Sequence, residues 1–296
     1  MDQDPLQGAQ NTGPVMSWLV VPGLMGALLG VLALRMAASA RAFDKVGLQA
    51  KLGQIVRPSN ELRVPCASIA AQRPVVILAI GQSNAANHSA PTRAPGRPVV
   101  LLAEGECIMA IDPLPGSTGR GGSIWYRLPQ HFSRLEPQRS VVMAVMGVDA
   151  TSMKDWVGEG SPLGERLENL VKSMHALDLA PDLVLWQQGE ADARLGTAAE
   201  AYGAGLDKLP KILGRAGSTA AIVMARSTVC RSLPYSAVRH AVEAKAASNP
   251  QFRLGPDTDT LIGADLRSDG CHFSAQGLDR ASQLWASTIA QLLSRK

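Results

Sequence analysis

The sequence predicts an α/β protein: a three-layer α/β/α sandwich around a mostly parallel five-stranded sheet, preceded by one N-terminal transmembrane helix. Short apolar runs alternate with stretches of helical periodicity from Pro74 onward, as in parallel sheets that helices cover on both faces. Polar clusters directly follow several of these runs, where open α/β sheets bind ligands. A third observation, an uncharged segment near the N-terminus, predicts the membrane helix.

Composition supports a sizeable globular domain. The chain has 296 residues, of which 46% are hydrophobic and 18% are charged, so one domain with an extra segment is favoured over disorder. The formal net charge is +4, but the basic residues are scattered and no run of five Lys or Arg occurs. We therefore predict no nucleic-acid partner.

The N-terminal region divides into a tail (1–14), a membrane anchor (15–36) and a linker (37–73). No charged residue occurs from Val15 to Leu34, and a helix of that length covers the hydrocarbon layer of a bilayer. A cleaved signal peptide is the alternative, because the sequence Ala-Ser-Ala ends at Ala40. The basic n-region typical of a signal peptide is missing.

Two features of the sequence disagree about the side of the membrane on which the large domain lies. Arg35, Arg41, Lys45 and Lys51 follow the uncharged run that ends at Leu34, and the positive-inside rule would keep the following domain in the cytoplasm. The four cysteines, by contrast, permit two disulfides, which persist in an oxidising compartment. They contain no CxxC pair, so we predict no metal site.

The large globular domain is predicted to span residues 74–296. Two apolar stripes of helical period lie within 163–177 and 278–292. Five apolar runs predict the strands, the last of them weakly: 74–80, 140–146, 182–188, 220–226 and 260–265.

Three side chains near predicted strand ends supply the groups that ester hydrolysis requires. Ser83 follows the first strand and is the candidate nucleophile, while His272, before the last helix, is the candidate base. Asp269 lies three residues before His272 and can orient its ring. The alternative for each residue is structural: Ser83 as a turn or cap residue, and the other two in a turn before a helix.

Four motifs together resemble one known family. Gly-Gln-Ser-Asn (81–84) follows the first strand, Gly147 the second and Trp-Gln-Gln-Gly-Glu-Ala-Asp (186–192) the third, and Asp-Gly-Cys-His-Phe (269–273) precedes the last helix. In this order they resemble the SGNH hydrolase superfamily, and within it the sialate O-acetylesterase type, also grouped as carbohydrate esterase family six. The resemblance covers Pro74 to Lys296.

This resemblance implies a flavodoxin-like form of the three-layer fold and a serine mechanism. Ser83 matches the nucleophile of the family, and Asp269 and His272 match its Asp-x-x-His pair. The backbone N–H groups of Ser83 and Gly147 match two oxyanion donors. Gln188 stands where the wider superfamily has an asparagine, so we expect its side chain to be the third donor.

Further residues are predicted around the substrate and the base. Cys271 lies beside His272 and Cys230 follows the fourth strand, so a disulfide between them is expected to brace the loop of the base. Glu190 and Asp192 are expected to hold their loop by accepting backbone N–H groups, in preference to a direct catalytic role. The glycine-rich stretch 115–125 lacks phosphate-binding motifs, and no cofactor is predicted. The expected substrate contacts are Gln82, Asn84, His88, Arg120, Trp125 and Glu190.

The sequence therefore predicts a serine esterase that removes O-acetyl groups from a carbohydrate. The same acyl-enzyme would serve an O-acetyltransferase acting on a glycan, and a non-catalytic, membrane-anchored carbohydrate-binding protein is the third alternative. We expect the domain to be extracytoplasmic, in a periplasm, because the glycan esters of this family type lie mostly outside the cytoplasm.

Overall fold

The computed structural model describes residues 47–90 and 97–294. The predicted tail (1–14) and membrane anchor (15–36) lie outside these residues. Within the two described ranges, no helix combines the length and the hydropathy that crossing a bilayer requires.

The prediction of five strands is wrong, because the described part of the chain forms one sheet of eight. Most neighbouring strands run parallel, in the order β1-β4-β3-β5-β2-β6-β7-β8. The parallel strands β5, β2, β6, β7 and β8 stand in the flavodoxin-like order. The strands are β1 (Leu62–Val64), β2 (Val75–Gly81), β3 (Val99–Ala103), β4 (Glu106–Ala110), β5 (Val141–Gly147), β6 (Leu183–Gln187), β7 (Ala221–Arg226) and β8 (Phe252–Asp257).

Four predicted strands agree with β2, β5, β6 and β7 to within one residue at each end, whereas the fifth is misplaced. The predicted strand 260–265 begins in a 3₁₀ turn, Thr258–Thr260, which the Asp257 carboxylate caps by accepting the Asp259 N–H. The outer strand is instead β8. Its residues show no regular alternation of burial, and it contains Gly255 and Pro256, which suit an edge strand but weaken the strand pattern.

Three strands were missed because they form an antiparallel extension at the other edge. β3 and β4 are joined by Glu104 and Gly105, which both have positive φ. β1 pairs with β4, although it lies in the segment predicted as a linker. The Cys66–Cys107 disulfide also ties this segment to β4, so the domain includes residues before Pro74.

Helices cover both faces of the sheet, which confirms the three-layer architecture. Leu78 and its alternate neighbours pack against a cluster that includes α4, α5, α7, α8 and α9, whereas Ile77 packs against α3 and α10. The predicted helical stripes lie in α5 and α10. The helices are α1 (described part 47–52), α2 (Cys66–Ala70), α3 (Ile124–Leu135), α4 (Met153–Val157), α5 (Pro162–Ala176), α6 (Glu190–Leu195), α7 (Ala199–Leu206), α8 (Leu209–Arg215), α9 (Ser236–Ser248) and α10 (Ala275–Ser294).

Two glycines let the chain after β2 pack onto the ends of the central strands. Gly81 is in register with Gly147 of β5 and with Gln187 of β6, so the three strands end at one level. A Cβ on Gly147 would lie 2.6 Å from the Ala85 carbonyl oxygen, and a Cβ on Gly81 would collide with the Gln187 carbonyl. Glycine at both positions therefore permits the close approach of the 3₁₀ turn Ser83–Ala85.

Candidate active site

Ser83 is held at the ends of the central strands by the backbone around it. The Gln82 N–H donates to the Gln187 carbonyl (3.2 Å), and the Ala86 N–H donates to the Ser83 carbonyl (3.0 Å). The indole Nε1 of the buried Trp125 donates to the Ala85 carbonyl at 2.8 Å. The Ser83 hydroxyl has no hydrogen-bond partner among the described residues, so its side chain is not needed for the turn.

Asp269 and His272 form a hydrogen-bonded pair. His272 Nδ1 lies 2.9 Å from Asp269 Oδ2, while Asp269 Oδ1 accepts the backbone N–H groups of His272 (2.7 Å) and Cys271 (2.9 Å). Burial alone would raise the pKa of Asp269, but these donors outweigh it and hold the pKa well below its usual range. Asp269 therefore stays ionised at neutral pH and fixes the His272 ring with Nε2 free.

One cavity of about 160 Å³ brings Ser83 and His272 together. No hydrogen bond joins the Ser83 hydroxyl to the His272 ring in this part of the described structure, and such contacts are often long before substrate binds. His88, Asp149 and Arg194 line the same cavity. A larger cavity of about 480 Å³ lies beside α5, but it contains none of the predicted site residues.

The structure does not bring Gly147 and Gln188 to this cavity as oxyanion donors. The Gly147 N–H donates to Ser117 Oγ at 2.8 Å. The Gln188 side chain is fully buried, and its Nε2 donates to Asp192 Oδ2 (2.6 Å) and to the Thr151 carbonyl (3.1 Å). Both predicted donors are thus engaged in holding the loops around the site.

Gln82 presents an amide to the cavity instead. Its Oε1 accepts the Ala191 N–H (2.9 Å) and Gln188 Nε2 (3.3 Å), which fixes the orientation of the amide. Its Nε2 has no hydrogen-bond acceptor within the described residues, and Gln82 lines the cavity beside Ser83. Gln82 was predicted only as a substrate contact. Its position directly before the nucleophile is the sequence feature that could have indicated a contact with the reacting group.

Three of the predicted substrate contacts lie elsewhere. Asn84 is fully buried and donates from Nδ2 to Glu190 Oε1 (2.7 Å) and to the Cys271 carbonyl (3.2 Å). Trp125 is fully buried against Trp285, with ring centroids 5.5 Å apart, so it supports the Ser83 turn from below. Arg120 is exposed on the glycine-rich loop and does not line the cavity.

Glu190 lies at the cavity wall, but its hydrogen bonds are internal. Its Oε1 accepts from Asn84 Nδ2 and from Ser227 Oγ, each at 2.7 Å. Burial raises the pKa of Glu190 in spite of these donors and the nearby Arg267. The geometry therefore favours the loop-holding interpretation, as it does for Asp192, whose Oδ2 accepts the Met153 N–H at 2.7 Å.

A disulfide joins Cys230 to Cys271, which confirms the pairing predicted from the sequence. Beside it, the Arg231 N–H donates to the Gly270 carbonyl (2.7 Å) and Arg231 Nε donates to the Asp269 carbonyl (3.2 Å). The segment that carries Asp269 and His272 is thus tied at its middle to the loop after β7.

The chain is similar to one known family and to several solved structures. A family model described as carbohydrate esterase, sialic acid-specific acetylesterase, matches residues 74–291. An Arabidopsis thaliana protein shares the fold with a TM-score of 0.60 and 20% identity, over 75% of this chain and 98% of its own. NanS shares it with a TM-score of 0.50 and 16% identity, over 75% and 98%. No curated protein matches the sequence.

The two disulfides provide a matched test of how the His272 segment is held. Each closes a loop with a sequence separation of 41, so the model of unfolded-chain entropy predicts similar losses of stability. We expect Cys230→Ser/Cys271→Ser to reduce hydrolysis of 4-nitrophenyl acetate about tenfold or more, because it frees the loop carrying the base. The Cys66→Ser/Cys107→Ser variant should retain most of the hydrolysis rate of the unaltered protein.

Rates are measured well below both melting temperatures, which circular dichroism determines for each variant. Equal rates in the two double variants would show that the Cys230–Cys271 bond does not position the base.

Proposed function

The chain belongs to the carbohydrate esterase family described as sialic acid-specific acetylesterase, and we propose that it works through an acyl-enzyme on Ser83. It is a hydrolase that acts on acetyl esters of carbohydrates. The observation that carries the serine mechanism is the shared cavity: the Ser83 hydroxyl and a His272 ring fixed by Asp269 line one small space.

The first half of the reaction acetylates Ser83. His272 Nε2 takes the hydroxyl proton as Oγ attacks the acetyl carbonyl carbon, and Asp269 stabilises the resulting imidazolium. His272 then gives this proton to the sugar oxygen as the bond between that oxygen and the acetyl carbon breaks. In the second half, water attacks the acetyl-serine, His272 takes a proton from it, and acetate leaves as the proton returns to Ser83.

The oxyanion is stabilised by the Ser83 N–H and by Gln82 Nε2. Neither group has an acceptor within the described residues, and both belong to the turn at the end of β2. Hydrogen bonds from Gln188 and Ala191 pre-orient the Gln82 amide, so it needs no rearrangement as negative charge develops.

Replacing the nucleophile tests the mechanism directly. Ser83→Ala should lower kcat for acetyl release by at least about a thousandfold, because no other group in the cavity can form the acyl-enzyme. Its melting temperature should stay close to that of the unaltered protein, since the hydroxyl makes no structural hydrogen bond. Ser248→Ala, at an exposed position on α9, is the control. Retention of more than about a tenth of kcat would exclude Ser83 as nucleophile.

The Gln82 assignment is tested by an isosteric change. Gln82→Glu keeps an oxygen that accepts the Ala191 N–H but replaces the Nε2 donor with a second carboxylate oxygen. We expect kcat to fall about a hundredfold or more, with a smaller change in KM, because the lost interaction forms mainly in the transition state. Gln82→Met, which lacks both groups, reports the contribution of the acceptor. Activity of Gln82→Glu within about threefold of the unaltered protein would assign the oxyanion donor elsewhere.

We further propose that residues 15–36 anchor the protein in a membrane and that the catalytic domain lies outside the cytoplasm. The uncharged run supports the anchor, and the Cys66–Cys107 and Cys230–Cys271 disulfides support an oxidising compartment. The basic residues after the run argue for the opposite side, but they bias orientation less for a long following domain.

Cell fractionation and thiol labelling test this placement. The protein should stay with membranes in high salt and require detergent for release, and alkylation of unreduced cells should leave all four cysteines unlabelled. A reporter fused after Lys296 should be active outside the cytoplasm. Labelled cysteines together with a reporter active in the cytoplasm would contradict the proposed side, and a soluble chain beginning near Arg41 would indicate a cleaved signal peptide.

A further inference from the structure

We propose that His88 and Asp149 form a subsite that binds the sugar hydroxyl on the carbon next to the acetylated one. This inference rests on the proposed function and adds a substrate feature to it. His88 and Asp149 line the cavity that contains Ser83 and His272, yet neither has a part in the acyl transfer described above.

The position of His88 places it beside the leaving oxygen of the sugar. Its ring stacks with the ring of His272, with centroids 5.7 Å apart and an interplanar angle of 30°. His272 donates its proton to the sugar oxygen as that oxygen leaves the acetyl carbon. The His88 ring, which is adjacent to the His272 ring, therefore lies where the substituent on the neighbouring sugar carbon extends.

Buried contacts fix the orientation of the His88 ring. Its Nε2 lies 3.2 Å from Thr118 Oγ1 and 3.7 Å from Asp149 Oδ1. Thr118 is fully buried, and its Oγ1 also accepts the Asp149 N–H at 3.0 Å. Both atoms that approach Nε2 thus belong to one network, whereas His88 Nδ1 has no hydrogen-bond partner within the described residues.

Charge and exposure at this pair suit a neutral hydroxyl. Burial lowers the pKa of His88, His272 and Lys51 lower it further, and only Asp149 opposes them, so the ring is neutral at pH 7. A neutral imidazole that donates from Nε2 accepts at Nδ1, and the Asp149 carboxylate accepts as well. Each side chain keeps 27% of its surface exposed, so both remain available to a ligand.

His88 and Asp149 resemble a second base with its carboxylate, but their geometry differs from that of the catalytic pair. Asp269 lies 2.9 Å from Nδ1 of His272, whereas Asp149 lies 3.7 Å from Nε2 of His88, with Thr118 as the nearer contact. His88 is thus held as a fixed wall of the cavity. His88 therefore positions the substrate, and His272 alone transfers the proton.

The experiment combines one substitution with one substrate change. His88→Phe keeps an aromatic side chain but removes both ring nitrogens, and His240→Phe, on the exposed side of α9, is the control. The substrates are 4-nitrophenyl acetate, a methyl hexopyranoside with one O-acetyl group beside a free hydroxyl, and the analogue in which that hydroxyl is replaced by hydrogen. Acetate release gives kcat and KM for each.

We expect the unaltered protein to lose about tenfold in kcat/KM when the neighbouring hydroxyl is removed, the size of one hydrogen bond. His88→Phe should lose a similar factor on the hydroxyl-bearing sugar and lose nothing more on the deoxy analogue. His240→Phe should match the unaltered protein on all three substrates. Additive losses from the two changes would overturn the subsite.

Three other outcomes separate this inference from the proposed function. A large loss on all three substrates in His88→Phe would make His88 part of the proton-transfer machinery and would also overturn the subsite. Failure of the unaltered protein to release acetate from any of the three would contradict the proposed function itself. Activity on all three without discrimination between the two sugars would contradict only the subsite.

Discussion

The close packing of one turn against three strand ends is the constraint on which the site depends. Gly81 and Gly147 are opposite each other in parallel strands, and neither leaves room for a Cβ. Because the turn Ser83–Ala85 fits against this gap, the nucleophile is positioned without any hydrogen bond from its own hydroxyl, which stays free. A side chain at either glycine would displace the turn before it altered any reacting group.

The structure uses carboxylates near the site in two opposite ways. Asp269 receives three N–H donors at a partly exposed position, so its negative charge is stabilised and available to the base. Glu190 receives two donors but is fully buried, and desolvation dominates its titration. The first carboxylate therefore serves the chemistry, whereas the second ties the nucleophile turn to α6 and to Ser227.

The sequence predicted best what depends on local pattern. The ends of β2, β5 and β6 follow from continuous apolar runs, and the Asp269–His272 contact follows from a spacing of three residues in one loop. The local sequence did not predict the role of Gln188, because its amide donates to Thr151 and to Asp192. Asp192 in turn contacts another element, so these bonds depend on the tertiary structure. The edge strands were missed for a related reason: β1 and β8 are short or interrupted, and their pairing is decided by their neighbours.

The pair Trp125–Trp285 gives the active site a consequence for synthesis of the chain. Trp285 belongs to α10, the 20-residue helix at the C-terminal end of the described chain, and its Nε1 donates to Gln187 Oε1 at 3.0 Å. Trp125, which packs on it, holds the Ala85 carbonyl behind the nucleophile. The ribosome releases α10 long after the nucleophile turn has emerged. The esterase site is thus completed only when α10 docks, and a nascent chain that ends before α10 lacks this support for the turn.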